Sequence, residues 1–235
     1  MVDALRIAIA GNIGVGKTTL VQAATSDKYK NLFQSLIQQE GAIPRVIRSY
    51  QEEFDSQLFE KYCAEPEKYA IAFQLKILLA SAKLEDHISE TGGIALIDRS
   101  FYEHRHVFGQ AQHQLGRIDE YNFEVYDAVY QELARRVPKP DVYIRLQADV
   151  ETLQQHIKAR GRTQEQWMVQ EGSYLTTLNQ LYDQFFKDIV QEPVIDINAA
   201  DINLTKSNGL DHRNFQRTLQ EITDKIRELK LPKLE

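Results

Sequence analysis

"GNIGVGKT", residues 11–18, stands between an apolar run, "LRIAIA" at 5–10, and a run typical of a helix, "TTLVQAAT" at 18–25. The stretch fits the pattern G-x-x-x-x-G-K-[ST] in full, in the strand–loop–helix context that this pattern requires. Its glycines let successive N–H groups point at one anion, and the helix start adds a partial positive charge. We predict that Lys17 reaches the β- and γ-phosphates of a nucleoside triphosphate and that Thr18 offers its hydroxyl to Mg²⁺. The predicted phosphate-binding residues are Gly11, Asn12, Ile13, Gly14, Val15, Gly16, Lys17, Thr18 and Thr19.

Strands and helices alternate along the rest of the chain. Short apolar runs predict strands at 5–10, 42–49, 92–98, 140–147 and 192–199, and apolar spacings of three and four predict helices at 65–90, 118–137, 149–161 and 212–229. This order predicts an α/β fold with a parallel sheet of about five strands. Because no repeat, low-complexity tract or linker-like boundary interrupts the sequence, we expect residues 1–235 to form a single domain.

The composition is that of an ordinary globular protein, with 43% hydrophobic and 26% charged residues. A net charge of −6 gives no broad positive surface for nucleic acid or for an anionic membrane. The single cysteine, Cys63, excludes an internal disulfide framework and suits a reducing compartment. No signal peptide and no membrane-length apolar run is evident. We therefore expect a cytoplasmic protein that binds neither nucleic acid nor membrane, with an organelle matrix as the alternative compartment.

An acidic residue ends the apolar run "GGIALID" at 92–98. Asp98 thus falls at the carboxyl end of a predicted strand, where α/β sheets bind their ligands, and a carboxylate there can bind Mg²⁺ or its waters. Arg99 follows, a planar donor suited to phosphate oxygens. The alternative is that Asp98 caps the next helix and that Arg99 faces solvent. The sequence has no N-K-x-D, and no D-x-x-G follows this strand, which argues against a GTP-driven switch.

A basic segment with a central glycine, "HIKARGRTQEQ" at 156–166, follows the end of a predicted helix. We refer to residues 156–166 as the lid. Such a segment can close over bound phosphates and supply positive charge to the transition state of phosphoryl transfer. Arg160 and Arg162 are the candidates for this role. The alternative is an ordinary basic helix end, which the helix dipole favours.

Four stretches, taken in order, resemble the deoxyribonucleoside kinase family: "GNIGVGKTT", "EPEKYAIAFQ", "DRSFYEHRHVF" and "VYIRLQADVETLQQHIKARGRTQEQ". The first is shared by many phosphate-loop proteins, whereas the third and fourth are specific to this family. The resemblance implies a fold similar to that of thymidylate kinase, a three-layer sandwich around a parallel sheet, and a homodimer. It also implies transfer of the γ-phosphate of a nucleoside triphosphate such as ATP, with Mg²⁺, to the 5′-hydroxyl of a deoxyribonucleoside.

The resemblance also implies a role for each residue that matches a family motif. On the donor side, residues 11–18 bind the phosphates, Asp98 lies near Mg²⁺, and Arg160 and Arg162 are the arginines of the lid. On the acceptor side, Arg99 lies near the 5′-oxygen.

Two further matching positions concern the acceptor nucleoside. The amide of Gln74 pairs with the base edge, since it can donate and accept at once. Glu165 binds the 3′-hydroxyl of the sugar.

The family's general base is a glutamate followed by proline, and this chain has "SYQEEF" at 49–54 instead. A count without gaps places Gln51 at the position of the base, and a shift of one residue places Glu52 there. Because glutamine cannot accept a proton and loop length varies freely, we favour Glu52 as the general base. Glu53 is its neighbour.

Other positions also depart from the family pattern. The family has a tyrosine three residues before the proline of the long helix; here that residue is Cys63, and the adjacent Tyr62 is the candidate for substrate binding. His104 stands where the family often has a base-selecting aspartate, and His156 stands where it has an early arginine of the lid. For both histidines the alternative is a polar surface residue.

Three hypotheses follow from these observations. We favour an active deoxynucleoside kinase with an altered base preference. The second is a nucleoside monophosphate kinase, because the two folds are close. The third is a nucleotide-binding subunit that has lost its catalytic activity.

Overall fold

A parallel sheet forms the centre of the protein, described here from a computed structural model over residues 4–31, 46–51, 55–170, 173–199, 212–229 and 231. Within these residues the sheet has five strands: β1 (Ala4–Ala10), β2 (Ile47–Tyr50), β3 (Gly93–Asp98), β4 (Val142–Gln147) and β5 (Val194–Asn198). Their order is β2-β3-β1-β4-β5, and every neighbouring pair is parallel. The predicted α/β class is confirmed. Of the strand predicted at 42–49, residues 42–45 lie outside the described residues.

Helices connect the strands. They are α1 (Lys17–Thr25), α2 (Ser56–Ala64), α3 (Pro66–Thr91), α4 (101–114), α5 (Glu120–Ala134), α6 (Val150–Arg160), α7 (Gln166–Gln170), α8 (173–189) and α9 (His212–Glu228). A 3₁₀ turn, Thr163–Glu165, precedes α7. Helix α4 is π-helical over His104–Gly109, and α8 is π-helical over Phe185–Ile189. The sequence patterns predicted α1, α3, α5, α6 and α9 and missed α2, α4, α7 and α8.

The side chains of β1 alternate between the two faces of the sheet. Ile9 packs in a cluster with Leu20 of α1 and Phe215 of α9. Ala8 and Ala10 belong to a different cluster, which α4 and α8 complete. Because successive residues of a strand point to opposite faces, helices cover both sides of the sheet and make three layers. The seven residues of β1 are all buried, which explains the continuous apolar run.

None of the described helices combines the length and the apolar character that crossing a membrane requires.

A buried ion pair ties β1 to α3. Nε of Arg6 donates to Oε2 of Glu85 at 3.1 Å, and Nη2 donates to Oγ of Ser89 at 2.7 Å. The side chains of Arg6 and Glu85 are only 5% and 3% exposed. Burial raises the pKa of Glu85, and the hydrogen bond from Arg6 acts against this rise. Each charge therefore depends on the other for compensation.

We expect Glu85→Ala to lower the free energy of unfolding by about 3–5 kcal/mol, because the Arg6 guanidinium stays buried without its carboxylate. Urea denaturation followed by circular dichroism measures this loss. The control Glu132→Ala removes an exposed carboxylate that lies 2.8 Å from Arg135. It should cost less than about 1 kcal/mol. Equal losses in the two variants would contradict the role of the buried pair.

Candidate functional site

The phosphate-binding loop lies at the carboxyl end of β1 and leads into α1. Gly11, Gly14 and Gly16 have φ values of +143°, +84° and +103°, which L-residues with a side chain rarely adopt. A Cβ on residue 11 would lie 2.4 Å from the carbonyl oxygen of Leu146, at the end of β4. The loop therefore needs glycine at this position both for its torsion angle and for its close contact with β4.

Lys17 and Thr18, the last two residues of the motif, begin α1. Nζ of Lys17 donates to the carbonyl oxygens of Gly11 and Asn12 at 2.8 and 3.0 Å, so the ammonium lies over the loop. Oγ1 of Thr18 donates to Oδ2 of Asp98 at 2.5 Å. The structure thus brings together the residues that the motif and the strand end predicted separately.

A hydroxyl oxygen and a carboxylate oxygen are the ligands that Mg²⁺ prefers, and Thr18 and Asp98 supply one of each. The described residues contain no group of three or more His, Cys, Asp or Glu that could hold a metal ion. Mg²⁺ is commonly held by one or two carboxylates together with substrate phosphates and waters. The donor set therefore fits Mg²⁺ bound to a nucleotide rather than a metal held by protein ligands alone.

Arg99 is fixed in a strained conformation directly after β3. Its φ is +76°, and it is the one non-glycine residue with a positive φ in the described part of the chain. Its backbone N–H donates to the carbonyl oxygen of Ile9 at 3.1 Å, and its guanidinium carbon lies 4.0 Å from the ring centre of Phe108. Strain of this kind is often found at functional sites. The backbone bond and the ring contact hold the guanidinium at the sheet's carboxyl edge.

Glu103 is a fully buried carboxylate in this region that the sequence motifs did not predict as a site residue. Its Oε1 accepts from the backbone N–H of Ser100 at 2.6 Å, and its Oε2 accepts from the hydroxyl of Tyr182 at 2.8 Å. Burial raises the pKa of Glu103, while the positive charges of Arg99 and Lys17 act against this rise. The S-x-x-E spacing of a capping box was the available signal, and the structure contains that box at the start of α4.

A cavity of about 400 Å³ opens at the carboxyl edge of the sheet, between the phosphate-binding loop, α3, α4 and the lid. The predicted catalytic, metal-binding and substrate-binding residues that line it are Lys17, Thr18, Tyr62, Gln74, Asp98, Arg99, His104, Arg160, Arg162 and Glu165. Glu52 and Glu53 lie outside the described residues, whereas Gln51, the residue before them, lines the cavity. These ten predicted residues thus converge on one cavity.

One wall of the cavity is formed by α2 and α3. Gln74 is 2% exposed, and its Oε1 has no hydrogen-bond partner among the described residues. A buried amide oxygen of this kind is costly unless a ligand supplies a donor. Tyr62, and not its neighbour Cys63, lines the cavity, and its ring stacks on that of Phe73 with centroids 4.7 Å apart. His104, which lies on α4, also lines the cavity and is buried rather than on the surface.

The lid forms a further wall of the cavity. Helix α6 ends at Arg160, and Gly161 follows in a left-handed conformation with φ +71°. Arg160 and Arg162 both bind the carboxylate of Glu165, Arg162 through Nη1 at 3.2 Å. Nδ1 of His156 lies 2.9 Å from the carbonyl oxygen of Gly14, so the lid also contacts the phosphate-binding loop.

A family model described as deoxynucleoside kinase matches residues 7–227. The chain belongs to the deoxynucleoside kinase family. It is 29% identical over 204 residues to a deoxyadenosine kinase of Dictyostelium discoideum, covering 85% of this chain and 74% of that one. It is 26% identical over 223 residues to a deoxyadenosine/deoxycytidine kinase of Bacillus subtilis, covering 94% and 90% of the two chains.

A solved structure of deoxyadenosine kinase from M. mycoides with bound dATP has the same fold. It matches with a TM-score of 0.71 and 22% identity, covering 94% of this chain and 99% of that one. The predicted family, the fold and the assignment as a deoxynucleoside kinase are confirmed.

Two asparagines anchor the phosphate-binding loop of this kinase. Nδ2 of Asn12 donates to the carbonyl oxygen of Leu175 at 2.9 Å and to Oδ1 of Asn179 at 2.7 Å. Asn179 in turn donates from Nδ2 to the carbonyl oxygen of Ala148 at 3.1 Å. Asn12 is buried, so these bonds tie the loop to α8 and to the segment after β4.

We expect Asn179→Ala to weaken the binding of a nucleoside triphosphate by about tenfold, which corresponds to about 1.4 kcal/mol. The reason is that the change removes a partner of the buried Asn12 amide, a loss that costs about 1–3 kcal/mol. Calorimetric titration measures the affinity. The control Asn122→Ala removes an exposed amide that donates to Asp119 at 2.8 Å, and should leave the affinity unchanged. Wild-type affinity in Asn179→Ala would show that this anchor does not order the loop.

Proposed function

We propose that this kinase transfers the γ-phosphate of ATP to the 5′-hydroxyl of a deoxynucleoside, and that the acceptor base carries an exocyclic amine, as adenine and cytosine do. The observation that carries the proposal is the single cavity that joins the phosphate-binding loop to the buried Gln74. A triphosphate at the loop and a nucleoside at Gln74 would meet in this cavity.

The donor phosphates are bound by the N–H groups of the loop, by the start of α1 and by the ammonium of Lys17. Thr18 and Asp98 are the residues that would hold Mg²⁺. When bound, Mg²⁺ neutralises charge on the donor phosphates. Lys17 exchanges its bonds to the loop carbonyls for phosphate oxygens.

The acceptor nucleoside is oriented by contacts at both of its ends. Gln74 accepts a hydrogen bond from the exocyclic amine with Oε1 and donates from Nε2 to the neighbouring ring nitrogen. Phe73 and Phe108, which line the cavity, offer aromatic faces to the base, and Tyr62 and His104 complete its surroundings. The names of the two relatives, a deoxyadenosine kinase and a deoxyadenosine/deoxycytidine kinase, support a base of this kind.

Three arginines supply positive charge to the reacting groups. Arg99, held at the end of β3, binds near the 5′-oxygen, and Arg160 and Arg162 bind the transferred phosphoryl group. Arginine supplies a planar fork that matches phosphate oxygens, and in phosphoryl transfer such a residue is worth about 10³–10⁵-fold in rate. Glu165 accepts a hydrogen bond from the 3′-hydroxyl.

We propose a homodimer in the cytoplasm that acts in nucleotide salvage and binds neither nucleic acid nor membrane. Exposed apolar side chains on adjacent helices support the dimer: Leu79 on α3 is 45% exposed, and Tyr121 and Val125 on α5 are 73% and 44% exposed. The net charge of −6 supports the absence of nucleic-acid binding.

The function is tested by incubating the protein with Mg·ATP and, separately, each deoxynucleoside and deoxynucleoside monophosphate. We expect deoxyadenosine or deoxycytidine to give monophosphate, and Lys17→Ala to reduce turnover by at least about 10³-fold, because the β/γ charge loses its nearest cation. Products from monophosphates alone would favour a monophosphate kinase. No product from any acceptor would favour an inactive subunit.

The general base is the carboxylate of Glu52, which directly follows the cavity residue Gln51. We expect Glu52→Gln to lower turnover by about 10²–10⁴-fold with little change in nucleoside affinity. The reason is that the glutamine side chain keeps the shape of glutamate and loses only the proton acceptor. Rapid-quench kinetics and a separate binding titration measure the two effects.

Glu53→Gln is the matched control for Glu52→Gln and should retain near-normal turnover. If Glu53→Gln is the impaired variant, the base lies one residue further along the chain. If both variants are active, Asp98 is the next candidate for the base.

A further inference from the structure

Glu165 is an almost buried carboxylate whose two oxygens bind the two arginines of the lid. Its side chain is 6% exposed, whereas the side chains of Arg160 and Arg162 are 35% and 56% exposed. Oε1 accepts from Arg162 at 3.2 Å and Oε2 accepts from Arg160. The arginines still reach water, but the carboxylate depends on them for the compensation of its charge.

The same arginines are needed elsewhere under the proposed function. Arg160, Arg162 and Glu165 line one cavity with Lys17, where the donor phosphates bind. A phosphate carries more negative charge than a carboxylate and offers the same bidentate geometry to a guanidinium. Donor binding therefore competes with Glu165 for the two guanidinium groups.

A carboxylate that loses these donors needs replacements, because a buried charge without hydrogen bonds is strongly disfavoured. A deoxynucleoside in the same cavity has two hydroxyls. Under the proposed function Glu165 binds the 3′-hydroxyl, and this hydroxyl, unlike the 5′-hydroxyl, is not consumed in the reaction. The acceptor thus carries a neutral hydrogen-bond donor that can take the place of a guanidinium N–H at this carboxylate.

We infer that Glu165 couples acceptor binding to donor binding. In the absence of acceptor the carboxylate retains Arg160 and Arg162; the 3′-hydroxyl of the acceptor takes over part of their hydrogen bonding and so favours their transfer to the phosphates. Linkage makes the effect reciprocal, so the donor raises the affinity for the acceptor by the same factor. Glu165 is a positioning residue in this respect, since it acts on phosphate through the arginines. The inference rests on the proposed function.

The backbone between Arg160 and Arg162 leaves room for these side chains to move from Glu165 to a phosphate. A Cβ added at Gly161 would meet no described atom within 4 Å, and the residue has φ +71°. Arg162 therefore follows an open turn rather than a packed helix. Its guanidinium can be redirected by a few torsion angles, without repacking of the core around Leu153 and Ile157 of α6.

The experiment is a calorimetric titration of the wild-type enzyme with Mg²⁺ and a non-hydrolysable ATP analogue. It is run without acceptor, with the deoxynucleoside that the enzyme phosphorylates, and with the 2′,3′-dideoxy form of that nucleoside. We expect the deoxynucleoside to raise the affinity for the analogue by about 5- to 150-fold. The dideoxynucleoside at saturation should raise it by a much smaller factor, because it lacks the 3′-hydroxyl.

The variant Glu165→Gln provides the second arm. The coupling factor is the ratio of the affinities for the analogue with and without the acceptor, and in this variant it should fall toward one. The analogue alone should bind at least as tightly as it binds to the wild type, because a charged carboxylate no longer holds the arginines. Trp167, the single tryptophan of the chain, lies two residues from Glu165 with its ring 5.1 Å from that of Tyr174, and its fluorescence gives an independent titration signal. Glu151→Gln, an exposed carboxylate on α6, is the control and should keep the wild-type factor.

Two results would overturn the inference: an undiminished coupling factor in Glu165→Gln, or equal factors for the deoxy and dideoxy acceptors. The second comparison uses only the wild-type enzyme, so it decides the question even if the variant folds poorly. Either result leaves the proposed function intact when the wild type phosphorylates deoxynucleosides. A wild-type enzyme that phosphorylates none of them refutes the proposed function, and the inference fails with it.

Discussion

The contact between Gly11 and the carbonyl oxygen of Leu146 is the constraint on which the site depends. A Cβ at residue 11 would stand 2.4 Å from this oxygen, so the end of β1 can approach the end of β4 only through glycine. Lys17 then donates back to the carbonyl oxygen of Gly11, which closes the loop on itself. With the loop fixed between two buried strands, the first turn of α1 faces the end of β3. That orientation places the hydroxyl of Thr18 against Asp98.

Each positive charge of the site also has oxygen atoms or carboxylates near it. A site for phosphates must concentrate positive charge in a region of low dielectric, and that charge must be compensated while the site is empty. Lys17 uses loop carbonyls for this purpose, and the positive charges of Arg99 and Lys17 act against the rise that burial causes in the pKa of Glu103. On the lid, Glu165 performs the corresponding role for Arg160 and Arg162. The carboxylate of Glu165 thus holds both lid arginines by hydrogen bonds.

The sequence predicted the features that depend on local pattern. Continuous apolar runs identified the strands because both faces of the sheet are covered, and the glycine-rich motif identified the loop because its chemistry is local. Helix α4 escaped detection because its sequence mixes histidines and aromatic residues and its His104–Gly109 segment is π-helical, which breaks the spacing of three and four. The pairing of Glu165 with both lid arginines was also missed. Charge spacing on a short turn does not say which partner a side chain selects.

Arg99 shows why residue order alone underdetermines such a site. The sequence placed an arginine after a buried strand and left open whether it faced solvent. Its guanidinium lies over the ring of Phe108, and its backbone adopts φ +76°, a conformation that a side chain disfavours. Its N–H bond to Ile9 and the buried capping box of Ser100 and Glu103 hold that conformation from both sides. The sheet before Arg99 and the helix after it thus support the strained residue. This support keeps a functional guanidinium at the carboxyl edge of β3.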